Sequence, residues 1–382
     1  MNPATTPSTL QRWTNGVLIA LFMAMLWLPG LDSVFHFDWT PPRSENRAMA
    51  AYPKIESGRH GIQAYIAGLE AYFNDHFGCR KCLVQWNNKL RWSLFKDKTT
   101  RTVLAGKAGW LFFTEAQMID HYSGQLQFTQ EQLHDWQVLV EKRRDWLARR
   151  GIAYVFVVAP DKQSIYPEEL PDWVTKIRPQ TKLDQFYDYM RAHSTVPVLD
   201  LREVLRAGKK TCPTYFQTDT HWNLFGGFLA YQELMRTMAK QRPGLEPLSL
   251  SSFTLTNKFW PGMDLATLLG LSMAESNAYF LNPQPGLPQF TEKTARPEHP
   301  KDPRYTYNSQ AKGRVIIFRD SFAQSWISLL GYQFNQVTYL WQYDFDPAWI
   351  ERDKPDIVVS EMVERFFNIT NPKELMAKEA LN

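Results

Sequence analysis

A series of short apolar runs separated by helical patterns constrains the fold of this chain most. Residues 152–159 form an uninterrupted apolar run of strand length. Near-continuous apolar strands alternating with helices predict an α/β fold in three layers, α/β/α, with a mainly parallel central sheet. The proline-rich polar stretch at 283–313 is predicted to be a long loop. Residues 106–113 are predicted to form a tight turn followed by a buried strand. The remaining strand candidates are 196–200, 314–318, 337–341 and 356–360, and the helical patterns lie at about 129–150, 181–193, 223–240 and 322–332.

Length and charge narrow the class of protein. A chain of 382 residues that is 44% hydrophobic and contains 14 tryptophans is expected to form a packed globular protein. Its formal net charge of +4 is small for this length, and the sequence has no long basic block. A nucleic-acid partner would require a concentrated basic surface, so we predict no nucleic-acid binding.

An uncharged apolar stretch at 16–31, preceded by Arg12, bears on the compartment. It is short for a membrane span, which takes about 20 apolar residues, and no small-residue cleavage site follows it closely. We therefore predict an uncleaved signal anchor at 1–31 that holds the body of the protein outside the cytoplasm. A buried N-terminal helix and an unusually distant cleavage are the alternatives. Residues 32–98 are predicted to form an irregular tether and then a helical lead-in.

The three cysteines do not indicate a metal site. Cys79 and Cys82 form a CxxC pair, but a zinc site needs a second pair of ligands and only Cys212 remains. The pair lies in the helical lead-in rather than after a strand, which disfavours a thioredoxin-like redox motif. We predict no metal and no cofactor, and the pairing of the cysteines stays open.

Two short motifs about a hundred residues apart carry the candidate chemistry. The first reads Asp-Thr-His-Trp at 219–222, and the second reads Arg-Asp-Ser-Phe at 319–322, directly after a predicted buried strand. In an extended segment Asp219 and His221 share a face, so the carboxylate can orient the imidazole as a base. Ser321 follows its strand at the carboxyl edge of the sheet, where such folds bind ligands. These residue types together can make an activated serine nucleophile.

Ordinary structural roles compete with this interpretation. Asp219 and Thr220 could cap the following helix, His221 could be a packed or surface histidine, and Asp320 and Ser321 could also be helix caps. The chain has neither a GxSxG elbow nor a phosphate-binding glycine loop. If the site is catalytic, a nearby helix N-terminus would help to keep His221 neutral, and the backbone N–H of Ser321 could donate toward an oxyanion.

Several segments together resemble the alginate O-acetyltransferase family, that is, the periplasmic AlgJ and AlgX proteins with an SGNH-hydrolase-like domain. The resemblance extends from about residue 43 to about 368, with its segments in order and at sensible intervals. The segments are 45–47 (ENR), 74–78 (NDHFG), 106–112 (GKAGWLF), 160–167 (PDKQSIYP), 219–223 (DTHWN), 318–322 (FRDSF), 355–359 (PDIVV) and 363–365 (VER).

The resemblance implies roles for individual residues. Ser321 would be the nucleophile, His221 the general base and Asp219 the carboxylate that orients the histidine. Glycine often precedes the Asp-Ser pair in SGNH enzymes, whereas Arg319 stands there in this chain. Four side chains are candidates for contact with substrate, namely Arg319, Trp222, Lys162 and Arg365, and a purely structural role is the alternative for each of them. The SGNH-hydrolase-like catalytic domain is predicted at 99–370 and a polar tail at 371–382, so the chain looks closer to AlgJ than to AlgX, which carries a C-terminal carbohydrate-binding module.

The resemblance also implies a reaction and a location. A serine acyl-enzyme would pass an acetyl group to hydroxyls of an exopolysaccharide, alginate-like or other. A membrane-bound O-acyltransferase would supply the acetyl groups, and other subunits of polysaccharide biosynthesis or secretion would be partners. The anchor would lie in the bacterial inner membrane with the catalytic domain in the periplasm. A carbohydrate acetyl-esterase and a noncatalytic sugar-binding subunit of a secretion complex are the alternatives.

Overall fold

A computed structural model describes residues 9–37, 49–55, 59–94, 99–100, 102–297, 299–379 and 381. The segment 45–47, which contributes to the family resemblance, lies outside these residues. The chain divides into two compact units. The N-terminal unit comprises Met1–Lys98 with Ala266–Ser272, and the α/β unit comprises Thr99–Leu265 with Met273–Asn382.

The described part of the N-terminal unit contains three long helices: α1 (Thr9–Phe35), α2 (Arg59–His76) and α3 (Arg80–Leu94). The 27 residues of α1 extend beyond the predicted apolar stretch at both ends. At 1.5 Å per residue they cover about 40 Å, which exceeds the roughly 30 Å hydrocarbon core of a bilayer. By length and composition, α1 is therefore able to cross a membrane.

The α/β unit consists of short elements in alternation. Its strands are β1 (Val103–Ala105), β2 (Leu111–Phe113), β3 (Ala153–Ala159), β4 (Val198–Asp200), β5 (Phe253–Asn257), β6 (Trp260–Pro261), β7 (Ala274–Glu275), β8 (Tyr279–Pro283), β9 (Thr291–Thr294), β10 (Arg304–Tyr307), β11 (Arg314–Phe318), β12 (Gln336–Leu340) and β13 (Ile357–Val363). Its helices are α4 (Met118–Ser123), α5 (Gln130–Ala148), α6 (Lys162–Ile165), α7 (Lys182–His193), α8 (Arg202–Gly208), α9 (Leu224–Ala239), α10 (Asp264–Leu269, which continues into the N-terminal unit), α11 (Trp326–Gly331), α12 (Pro347–Asp353), α13 (Glu364–Ile369) and α14 (Pro372–Lys378).

Seven strands form the central sheet in the order β4-β3-β13-β11-β12-β10-β9. The first five are parallel, whereas β10 pairs antiparallel with both β12 and β9. The mainly parallel sheet is therefore confirmed. The prediction of an unbroken loop at 283–313 is wrong, because β9 and β10 extend the sheet edge there. Their residues, Thr-Glu-Lys-Thr and Arg-Tyr-Thr-Tyr, are too polar to be recognised as buried strands.

A hydrophobic layer covers each face of this sheet. Along β3, Val155 and Val157 pack into one layer with α9 and α11, while Tyr154 and Phe156 pack into the other with α5 and α7. Successive side chains of a strand point to opposite faces, so a strand that is apolar throughout needs such a cover on both sides. The predicted three-layer α/β/α arrangement is confirmed.

The strand β13 joins the two halves of the sheet. It pairs in parallel with β3 on one side and with β11 on the other, and all seven of its residues are buried. The β3–β4 pair thus reaches the remaining strands of the sheet through β13 alone. Both the strand that leads to Ser321 and the strand that precedes Lys162 take their position from this central element.

The C-terminal segment is ordered rather than only a polar tail. It contains α14, and Leu375 and Leu381 are buried in the same layer as α5. Beyond the helix, the buried carboxylate of Glu379 pairs with the buried guanidinium of Arg143 on α5. The segment predicted as a tail therefore contributes to the core of the α/β unit.

Candidate active site

Ser321 lies in a tight turn just beyond β11. The strand ends at Phe318, and a 3-10 turn begins at Phe322. The Asp320 carboxylate holds this turn, because its Oδ1 accepts the Phe322 N–H at 2.9 Å and its Oδ2 accepts the Val363 N–H at 2.7 Å. Asp320 is therefore a local structural residue, as one of the alternatives for this motif proposed. The turn leaves the hydroxyl of Ser321 available to the neighbouring loop.

The histidine comes from the loop that precedes α9. The Asn223 side chain caps this helix by accepting the Gly226 N–H at 2.9 Å, which fixes the end of the loop. Four residues before Asn223, the Oδ1 atom of Asp219 accepts the backbone N–H of His221 at 3.0 Å. The same oxygen lies 2.6 Å from Nδ1 of the His221 ring. The other ring nitrogen, Nε2, lies 2.7 Å from Ser321 Oγ. The structure thus brings the predicted serine, histidine and aspartate into one hydrogen-bonded series.

The charges in this series support one another. Burial would raise the pKa of Asp219, but the His221 imidazole and its hydrogen bonds lower it to about 2. Burial also lowers the pKa of His221, yet the Asp219 carboxylate outweighs this effect and the pKa ends above its usual value. A helix N-terminus was expected to favour the neutral ring, and the carboxylate reverses that expectation. The pair therefore favours a histidine that takes up a proton readily.

A second carboxylate, which the sequence did not reveal, supports the histidine loop. Asp264, at the start of α10, accepts the Thr220 N–H at 3.1 Å and the Thr220 hydroxyl at 3.1 Å. The same hydroxyl lies 3.2 Å from His221 Nδ1. Burial and the nearby Asp219 raise the pKa of Asp264 to about 6. Its position at a helix start was the only signal in the sequence.

Asp219, His221 and Asp264 offer the atoms that a metal would need. One atom from each lies within 4.8 Å of the others. Both ring nitrogens of His221, however, already lie at hydrogen-bond distance from Asp219 and Ser321. A metal bound through either nitrogen would replace one of these contacts, so the geometry favours proton transfer between Ser321 and His221 with Asp219 behind the imidazole.

Lys162 lies inside the protein. Its side chain is only 3% exposed, and its Nζ donates to the carbonyl oxygens of Leu111 at 2.8 Å and Gln217 at 3.1 Å. Burial lowers its pKa to about 8. The ammonium group holds the histidine loop against β2, which agrees with the structural alternative for Lys162. A fully buried Glu275 holds the same loop by accepting the Thr218 N–H at 2.7 Å.

The two predicted arginines are also buried beneath the site. Arg365 forms an ion pair with Asp161 at 2.6 Å, and its guanidinium lies 5.2 Å from the ring of Phe322. Arg319 is fully buried; its Nη1 donates to the Asp320 carbonyl at 2.9 Å, and burial lowers its pKa to about 10. Both guanidinium groups are buried and paired inside the protein, which agrees with the structural alternative for the two residues. They support the serine turn from within the protein.

Trp222 links the two halves of the site. Its indole N–H donates to the Phe322 carbonyl at 3.1 Å and to the Ser325 hydroxyl at 2.9 Å. The side chain is almost completely buried, so most of the ring packs in the core, although its edge borders the cleft. The indole therefore fixes the histidine loop to the serine turn.

A cleft of about 340 Å³ opens above Ser321 and His221. Part of its wall comes from Pro300 and Arg304, in the region that the sequence indicated as a loop, and another part from Met263. The side chain of Arg304 also pairs with Glu292 on the neighbouring edge strand, at 2.9 Å. The antiparallel extension of the sheet therefore shapes the entrance to the candidate site.

This chain has the fold and the site of the SGNH hydrolase-like α/β proteins. Its mainly parallel sheet is the middle layer of an α/β/α arrangement, and a hydrogen-bonded serine, histidine and aspartate lie at the carboxyl edge of that sheet. The family model described as "SGNH hydrolase-like domain, acetyltransferase AlgX" matches residues 103–332. That match covers more than half of the sequence, and the chain belongs to this family.

Relatives from pseudomonads agree with the family. The probable alginate O-acetylase AlgJ of Pseudomonas syringae pv. tomato is 26% identical over 260 residues, which cover 68% of this chain and 61% of that protein. The probable alginate O-acetylase AlgJ of Pseudomonas aeruginosa is 29% identical over 169 residues, or 44% of this chain and 40% of that protein. The matched region thus spans about three fifths of the first relative and less of the second.

Solved structures share the fold. PatB1 of Bacillus cereus superposes with a TM-score of 0.53 at 17% identity, covering 71% of this chain and 98% of PatB1. A DHHW family protein of Eubacterium siraeum gives a TM-score of 0.54 at 12% identity, covering 74% of this chain and 98% of that protein. At this level of identity the likeness concerns the fold alone.

Proposed function

We propose that this protein is an O-acetyltransferase that carries an acetyl group on Ser321 and passes it to hydroxyls of an exopolysaccharide. The family supplies the acetyltransferase class. The observation that supports the serine mechanism is the series of short contacts from Asp219 through His221 to Ser321, at 2.6 and 2.7 Å. Such a series is the arrangement that activates a serine hydroxyl for acyl transfer.

The reaction has two halves. In the first, His221 Nε2 takes the proton of Ser321 Oγ while the oxygen attacks the acetyl carbonyl, and the histidine then gives that proton to the leaving group of the donor. In the second, His221 takes a proton from a sugar hydroxyl, whose oxygen attacks the acetyl-serine ester. The serine oxygen leaves and recovers a proton from His221. Asp219 stabilises the imidazolium in both halves.

The negative oxygen formed in each half needs hydrogen-bond donors. Within the residues that the structure describes, the backbone N–H of Ser321 donates to no protein acceptor. It begins the 3-10 turn at 322–325 and is available to the oxyanion. We assign it as one donor, in keeping with its position next to the attacking oxygen.

Location and partners follow from α1 and from the chemistry. We propose that α1 anchors the protein in the bacterial inner membrane and that the α/β unit works in the periplasm. Acetyl-coenzyme A is a cytoplasmic donor, so a membrane-bound O-acyltransferase would deliver the acetyl groups. The names of the AlgJ relatives favour alginate or a similar polysaccharide as acceptor, and other subunits of its biosynthesis or secretion as further partners.

Ester hydrolysis by the purified full chain tests the nucleophile. The wild type should release acetate from a chromogenic acetyl ester, and Ser321→Ala should reduce kcat/KM by at least about 10³-fold. Ser328→Ala, on the exposed face of α11, is a matched control that should keep the activity. Equal background rates in the wild type and Ser321→Ala would reject the serine mechanism and favour a noncatalytic sugar-binding subunit.

Acetyl addition to an oligosaccharide separates the transferase from the esterase. Mass spectrometry of an alginate oligosaccharide incubated with the ester and the wild type should show added acetyl groups that depend on Ser321. Water and the sugar hydroxyl compete for the same acyl-enzyme, so acetate release without any sugar product would favour a carbohydrate acetyl-esterase.

A further inference from the structure

Helix α3 of the N-terminal unit turns its apolar side toward solvent. Four bulky side chains, which we call the α3 stripe, are each more than half exposed: Leu83, Trp86, Leu90 and Leu94. Their spacing of three, four and four residues places them along one side of the helix. A stripe of this kind normally faces the interior of a protein.

The opposite side of α3 carries Gln85, Asn88 and the partly buried Trp92, and it faces the protein. Asn88 donates from its side chain to the carbonyl oxygen of Leu268 at 3.3 Å, and Gln85 packs against Gly270. Both contacts lie inside the N-terminal unit, in its 266–272 segment. The helix is thus oriented with two amides and Trp92 inward and with the α3 stripe outward, although a stripe of four bulky apolar side chains faces the interior in a water-soluble domain.

Helix α2 shows the same lack of an apolar interior. Ile62, Ile66 and Phe73 are all more than half exposed, while Asp75 on another side is buried and accepts the Ala50 N–H at 2.7 Å. None of the Ile, Leu, Val, Phe or Trp side chains described in α2 and α3 is buried. Exposed apolar surface of this extent indicates a contact with a membrane or another molecule.

The start of α3 is held at the end of α1. The Cys79 N–H donates to the Asp32 carboxylate at 2.7 Å, and Gly78 lies so close to the Pro29 carbonyl that an added Cβ would be 2.0 Å from that oxygen. Pro29 and Asp32 lie at the boundary where the apolar stretch of α1 ends. If α1 crosses a bilayer, α3 therefore begins at the level of the bilayer surface.

The charge of α3 favours lipid as the covering surface. Its sequence contains four basic residues, Arg80, Lys81, Lys89 and Arg91, and no acidic residue. A basic helix with tryptophan and leucine on one side has the composition of helices that lie in the bilayer interface and bind anionic headgroups. Tryptophan itself is enriched at this depth.

We propose that α3 lies in the interface of the bilayer that α1 crosses, with the α3 stripe at the acyl-chain boundary and the exposed Lys89 and Arg91 against anionic phospholipid headgroups. This inference rests on the proposed anchorage by α1, and it is independent of the chemistry at Ser321.

A photocrosslinking amino acid tests this placement in the full chain. p-Benzoylphenylalanine replaces Trp86 or Leu90 on the stripe, and Gln85 on the inward side of the same helix serves as the matched control. The chain is assembled into nanodiscs of equimolar phosphatidylethanolamine and phosphatidylglycerol, irradiated and analysed by mass spectrometry. We expect lipid adducts at positions 86 and 90 at several-fold the yield found at position 85. Each variant should keep the parent's ester hydrolysis, which verifies that the α/β unit is folded.

The outcomes separate the surface from the anchor. If the chain stays with the nanodisc but the yields of lipid adducts at positions 86 and 90 are no higher than at position 85, the placement of α3 is overturned. The proposed anchorage by α1 is then unaffected. A chain that leaves the nanodisc overturns both. In native membranes, adducts at 86 and 90 to another protein in place of lipid would overturn the proposal in favour of a protein partner.

Discussion

The Asp264 carboxylate should weaken the folded state at alkaline pH, and Asp264→Asn should relieve this effect. Burial and Asp219 raise the pKa of Asp264 from 3.8 to about 6. A carboxyl group with a raised pKa in the folded protein contributes stability below its unfolded pKa and loses it as pH rises through the folded pKa. The asparagine stays neutral, and its amide can accept the Thr220 N–H and donate to the Thr220 hydroxyl.

The size of the effect follows from the shift. A shift of two pKa units corresponds to about 3 kcal/mol in the free energy of unfolding, at a pH above both the folded and the unfolded pKa. The side chain is partly open to solvent, so we expect about half of this, ~1.5 kcal/mol. For a domain of this size that raises Tm by about 3 °C at pH 8. At pH 4, where the carboxyl group is largely protonated in the folded state, most of the difference should disappear.

Thermal unfolding of the wild type and Asp264→Asn, followed by circular dichroism at pH 8 and pH 4, measures this difference. Asp264→Ala is the control, since it removes the charge and both hydrogen bonds to Thr220. Its Tm at pH 8 should therefore rise by less than that of the asparagine variant. If Asp264→Asn is no more stable than the wild type at pH 8, or gains equally at pH 4, the argument about the buried charge is refuted.

Two further predictions concern other parts of the α/β unit. Asp219→Asn should lower kcat/KM for ester hydrolysis by about 10²–10⁴-fold. The acid limb of its pH–rate profile should also move to lower pH, because the Asp219 carboxylate is the main group that raises the pKa of His221. An acid limb at the same pH as in the wild type would contradict this. Glu379→Ala should cost about 3–5 kcal/mol in urea unfolding because it leaves Arg143 buried without its carboxylate, whereas Lys378→Ala, on the exposed surface, should change stability by less than about 0.5 kcal/mol.

The parallel part of the sheet could be predicted because its strands are buried on both faces. The apolar runs that become β3, β11, β12 and β13 are conspicuous for that reason. The edge strand β9 and its neighbour β10 could not, since the antiparallel end of a sheet exposes much of its surface and tolerates polar residues. Pairing with β12 decides their conformation, and that contact is invisible along the chain.

The positions of Ser321, His221 and Asp219 could be anticipated because an aspartate and a histidine two positions apart define one half of the site and a strand end defines the other. Lys162 and Arg365 show the limit of such reasoning. Charged residues just after parallel strands can serve either a ligand or the loops that surround it, and only the folded backbone decides between the two. Asp264 was missed because its contact with Thr220 joins segments that are distant in sequence.

The place of β13 in the sheet has a consequence for the order in which the site can form during synthesis. A chain that emerges amino end first has produced His221 and Ser321 well before residues 357–363 appear. Until then the β3–β4 pair has no strand to connect it with β11, and the Val363 N–H that holds the Asp320 carboxylate is missing. A partly synthesised chain therefore contains Ser321, His221 and Asp219 before it contains the strand that joins the two halves of the sheet, and we expect the site to form only after residues 357–363 have been added.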